Sequence, residues 1–123
     1  MSLANLHIAL AILTTVSVLV ATIEGAVRAI RKVPADETAF RTLMAVLISA
    51  ALTIAAGIAL IITGERPKEW LHLLYAALAF GLIPFADNAS TSLRSNRMKG
   101  LYRFAGGLVC LLIITRLFVT GKN

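Results

Sequence analysis

Between Leu43 and Thr63 the chain reads LMAVLISAALTIAAGIALIIT, without one charged residue. A helix rises 1.5 Å per residue, so about 20 mostly apolar residues cross a hydrocarbon core roughly 30 Å thick. This stretch has that length, and three others resemble it. Leu3 to Ala26 is uncharged before Glu24. Trp70 to Ala86 is shorter but extendable at both ends, and Phe104 to Thr120 is interrupted only by Arg116. In a chain of 123 residues, four such spans with short links leave almost nothing for a soluble domain. The expected fold is all-α: a single transmembrane domain over residues 1–123, built as a four-helix bundle.

Composition agrees. Hydrophobic residues make up 59 % and charged residues 15 %, against roughly 45–50 % and 25 % in ordinary globular chains. The mean hydropathy is +0.86, yet the net charge is +6 and the pI about 10.3. Disorder is excluded, and so is a disulfide-rich module, since Cys110 is the single cysteine. A nucleic-acid binder would spread its basic residues over a polar surface, so no nucleic-acid partner is expected. A cleaved secretory signal is not expected either. No Lys or Arg precedes Arg28, and the first apolar run is too long, so it reads as a retained first helix.

The twelve basic residues are unevenly placed. Arg28, Arg31, Lys32 and Arg41 lie between spans one and two; Arg94, Arg97, Lys99 and Arg103 lie between spans three and four. In the 2–3 link, Arg66 and Lys68 are balanced by Glu65 and Glu69. The excess of positive charge on cytoplasmic loops therefore places these two segments inside, with both termini and the 2–3 hairpin outside. The setting expected is a bacterial or archaeal cytoplasmic (inner) membrane. Gly64 and Pro67 punctuate the outer turn, Trp70 and Tyr102 fall near span ends, and Pro84 is expected to kink or end span three.

The two halves look like a tandem two-helix repeat. Leu6-His7-Ile8-Ala9 overlays Leu71-His72-Leu73-Leu74, and alanine follows each histidine at i+4, as Ala11 and Ala76. Spans one and three each end in one acid, Glu24 or Asp87, before a basic segment. The next spans open with Phe40-Arg41 and Tyr102-Arg103 and close with Thr63-Gly64 and Thr120-Gly121.

Ionisable residues within apolar spans are costly and mark candidate sites. Here they are His7, His72, Glu24, Asp87 and Arg116. No Gly-rich phosphate loop, nucleophile elbow or His-Glu-x-x-His motif occurs, so hydrolysis and phosphoryl transfer have no support and any enzymatic role is at most that of a redox subunit. His7-Ala11-Thr14-Val18 and His72-Ala76-Ala79-Ile83 form two stripes at helical spacing on helices running the same way. Two neutral imidazoles, one from each, can clamp a low-spin haem iron. Arg116 climbs toward the same side and suits a haem propionate. A chlorophyll-type magnesium, which needs only one imidazole, fits the same residues. The plainer alternative is that both histidines are interfacial and half-solvated.

Glu24 and Asp87 read chiefly as ion-pair partners of the basic segments, and secondarily as proton-handling carboxylates. Ala51, Ala55 and Ala59, with Ser49 and Gly57, form a small-residue surface on span two; Ala77, Gly81, Ala105, Gly106 and Gly107 do likewise elsewhere. Such stripes are expected to pack this bundle, or else to meet a partner subunit.

With His7 and His72 as its support, the plan resembles the small four-helix membrane cytochromes of the b type. That resemblance implies haem b held by His7 and His72 as metal ligands, with Arg116 nearby. It also implies electron exchange with a quinol or a partner subunit. The alternatives are a non-catalytic accessory or assembly subunit of a larger membrane complex, or of a homo-oligomer, and a small proton-coupled transporter using Glu24 or Asp87.

Overall fold

The computed structural model describes residues 2–64 and 70–120. Four helices follow in chain order: α1 (Leu3–Arg31), α2 (Glu37–Ile62), α3 (Leu71–Ala89) and α4 (Asn96–Thr120), with a short 3-10 turn at Ser90–Ser92. All four are long and apolar enough to cross a membrane. They form an up-and-down bundle in which α1 packs against α2 and α4, α3 packs against α4, and α2 and α3 meet only sparsely. His7 and His72 lie at one end, the acids Glu24 and Asp87 at the other.

Each helix runs beyond the apolar span read from the sequence, mostly at the acidic end. Asp36 caps α2 through its side chain, accepting from the Ala39 amide, and Ser2 caps α1 by accepting from Asn5. A side-chain oxygen there satisfies one of the free N–H groups that every helix start carries. The two basic segments are consequently helical rather than loops. Arg28 and Arg31 end α1, Arg41 opens α2, and Arg97, Lys99 and Arg103 lie in α4; Lys32 and Arg94 stay in the links. Lys32 adopts a left-handed conformation (φ 56°) and closes α1, its amide donating to the Arg28 carbonyl. Pro84 does not end α3, which continues through it to Ala89. The turn expected at Pro67 lies outside the described residues.

The inward positions alternate in steps of three and four. On α4 they are Gly100, Arg103, Gly107, Cys110 and Ile114; on α1, Thr14, Val18, Ala21, Gly25 and Arg28; on α2, Ala39, Thr42, Val46 and Ser49. That alternation is the pattern of nearly parallel helices packing side by side. Small residues set how close they come. A Cβ on Gly25 would fall 2.9 Å from the Gly100 carbonyl, and one on Gly100 would fall 2.6 Å from the Ala29 nitrogen, so α1 and α4 meet backbone to backbone. The contact stripe on α1 is Ala21-Gly25-Ala29. The alanine stripe expected to pack α2 faces the other way: Ala51 and Ala55 are exposed, as are Ala77 and Ala105.

Large apolar side chains face outward, and several polar groups lie inside. Outside lie Leu13, Val20, Ile48, Leu52, Phe85, Leu112 and other large apolar side chains, which a bilayer would cover. Inside, between a central cluster of Val18, Ala21, Val46, Ala79, Ile83, Cys110 and Ile114 and the two ends, sit the hydroxyls and charges.

Candidate functional site: the paired histidines

At the end where α1 and α3 begin, the two helices are diagonal across the bundle, yet their histidines meet. The His7 and His72 ring centroids are 6.4 Å apart, with planes inclined at 65°. The stripes below them face inward as their spacing requires: Thr14, Val18, Ala79 and Ile83 are buried. Gly57 on α2 makes room for one ring, since a Cβ there would come within 3.0 Å of His7 Cε1.

Both rings are held by the following helix. His7 Nδ1 lies 2.9 Å from the Thr53 carbonyl of α2. His72 Nδ1 lies 3.1 Å from the Leu117 carbonyl of α4 and 3.2 Å from Thr120 Oγ1. A carbonyl only accepts, so each Nδ1 carries the proton and donates it. A neutral ring then keeps its lone pair at Nε2, and neither Nε2 has a protein hydrogen-bond partner among the described residues. This is how ligating histidines are usually oriented, the far nitrogen fixed by a carbonyl and the near one left to a metal. Thr53 also shares a 2.9 Å hydrogen bond with Thr14, tying the His7 support back to α1.

No protein family model, curated protein or solved structure matches the chain. The site therefore stands on its own chemistry. Among the described residues no cluster of three or more His, Cys, Asp or Glu could hold a metal ion. Two imidazoles alone leave a bare zinc ion short of its usual four ligands, whereas a macrocycle brings its own four nitrogens. The donor set thus fits a haem-type group. The two rings stand edge to face.

Arg116 makes no polar contact with either histidine. It lies on an exposed face of α4, one turn before Thr120, with no polar side-chain contact to a described residue. Glu24 and Asp87 are at the opposite end, joined by a residue that the sequence reading had placed in a basic loop. Arg103 is only 2 % exposed. Its Nε and Nη2 donate to the two Asp87 oxygens. Its Nη1 reaches Glu24 at 2.9 Å, the Ala39 carbonyl at 2.9 Å and Thr42 Oγ1 at 2.8 Å. Arg28 Nε binds the other Glu24 oxygen at 2.6 Å. Both acids are therefore ion-paired, as their chief sequence reading held. The signal for Arg103 was its register: it falls on the Gly100-Gly107-Cys110 stripe.

Proposed function

We propose that this protein is a small membrane electron-transfer subunit that holds one haem b between His7 and His72. The observation that carries the reading is the meeting of the two rings from diagonal helices, each with Nδ1 tied to a carbonyl and Nε2 left unengaged. Bound there, haem would supply a one-electron couple, its potential set by ligand identity, hydrogen bonding and burial. His7 and His72 would be its ligands. Thr53, Leu117 and Thr120 hold the ring protons at Nδ1 and fix both imidazole orientations. Arg116, exposed on α4 one turn from Thr120, would be available to pair with a propionate of the group. The electron partner would be a membrane quinol or a neighbouring subunit.

The visible spectrum of the purified protein tests this. Soret and α bands are expected in the parent and lost in His7→Ala and His72→Ala. Absent bands, or bands unchanged in both variants, overturn the haem reading, and a chlorophyll-type spectrum would assign the site to that pigment instead. A second reading, a non-catalytic accessory subunit, is favoured by the outward stripe of Ala51 and Ala55, which packs nothing in this bundle. Native mass analysis after gentle solubilisation separates it: a lone 13.1 kDa species counts against it.

A further inference from the structure

At the charged end, away from the histidines, a cavity of about 250 Å³ is lined by Arg28, Ala35, Asp87, Ser90, Thr91, Lys99 and Arg103. Its size is just below that of pockets taking drug-sized ligands, so it suits one small polar group. The balance of charge there is positive. Arg28, Lys99 and Arg103 meet only Glu24 and Asp87, three cations against two carboxylates. Arg103 is committed to Glu24, Asp87, the Ala39 carbonyl and Thr42, and Lys99 has no acidic partner among the described residues.

Arg28 is the telling residue. Its side chain is 8 % exposed, and of its five N–H donors only Nε is engaged, on Glu24. Nη1 and Nη2 have no hydrogen-bond partner among the described residues. Among the described residues no fully buried side-chain nitrogen or oxygen lacks a partner, so these two nitrogens keep access to solvent and remain open to a ligand. Two free guanidinium nitrogens on a cavity wall, with an ammonium also lining the cavity, form a receptor for an oxyanion. Arginine forks and lysine point charges are the usual pair around phosphate. Ser90 and Thr91 line the same wall. Their hydroxyls donate to the Asp87 and Asn88 carbonyls at 2.8 Å each, so they present lone pairs and confine the anion to the Arg28–Lys99 side.

We infer that this cavity binds a phosphate group, either the headgroup phosphate of an anionic lipid or a free phosphate. Basic pockets between helices at a membrane surface are suited to such headgroups. The test uses the full chain in phosphatidylcholine nanodiscs, titrated with inorganic phosphate by calorimetry. In parallel, protein solubilised from phosphatidylglycerol-containing vesicles is assayed for retained lipid by native mass spectrometry. Lys99→Ala and Arg28→Lys are expected to weaken binding at least tenfold. Arg94→Ala, which removes an exposed charge from the same end, leaves it within twofold. Saturable phosphate binding with this pattern assigns a free anion; retained phosphatidylglycerol with this pattern assigns the lipid. The inference is overturned if neither ligand is held, or if Lys99→Ala weakens binding no more than Arg94→Ala. Should Arg28→Lys fail to fold, Lys99→Ala alone decides, because its partly exposed side chain makes no hydrogen bond or ion pair with a described residue.

Discussion

Replacing Arg103 by alanine should destabilise the bundle by about 3–5 kcal/mol, the usual cost of removing one partner from a buried ion pair. The reason is not the lost attraction alone. Arg103 is the shared cation of Glu24 and Asp87, and it also satisfies the Ala39 carbonyl and Thr42. Without it Asp87 keeps no cation, and Glu24, 8 % exposed, is left with Arg28 only. The melting temperature in detergent is expected to fall sharply, or the variant to fail to accumulate. Charge bookkeeping gives an internal control. Asp87→Asn combined with Arg103→Met removes one charge of each sign and leaves Glu24 paired with Arg28. This double variant should recover at least half of the loss, since buried pairs tolerate joint neutralisation far better than the removal of one member. Arg41→Ala is the contrasting case. Its pair with Glu37 is 73 % exposed on both sides, so its loss should shift stability by no more than about 0.5 kcal/mol.

The second large effect is expected at Gly100. An alanine Cβ would come within 2.6 Å of the Ala29 nitrogen and 2.7 Å of the Gly25 carbonyl, both backbone atoms that no rotamer change can move. Either α1 and α4 separate or the backbone shifts, and overpacking of this kind costs roughly 1–3 kcal/mol. Separation would also disturb Arg103, one turn along α4. Gly81→Ala should behave oppositely. An added Cβ there meets nothing within 4 Å, so the variant should be neutral or gain up to about 1 kcal/mol from helix propensity. Thermal unfolding of the two variants side by side reads the difference.

Much of this fold was legible in the sequence, and the missed parts have a common cause. Hydropathy located the four spans because apolar length is a direct measure of membrane thickness. The paired motifs around His7 and His72 located the histidine end, since two helices running the same way carry equivalent residues to the same level. The structure adds that the rings touch the next helix in equivalent fashion, at Thr53 and at Leu117. Arg103 was missed because counting basic residues per segment treats them as interchangeable. Arg41 and Arg103 open equivalent helices, but one is solvent-facing and the other enters the core. Only the three-and-four register of α4 distinguishes them. The alanines of α2 misled for a related reason: spacing of four shows that Ala51 and Ala55 share a face, not which face turns inward. Arg28 shows both limits at once. It is a basic residue in a basic segment, a buried core position, and the donor of two uncommitted nitrogens.

Haem binding as proposed requires His7 and His72 to act together on one centre. Titrating haemin into the purified full-length protein, with the spectrum and low-temperature electron paramagnetic resonance recorded, tests this directly. Saturation at one haem per chain with a low-spin signal is expected, and that signal is lost in both His7→Ala and His72→Ala. A low-spin signal that survives in either variant, or haemin uptake without a stoichiometric end point, would contradict it.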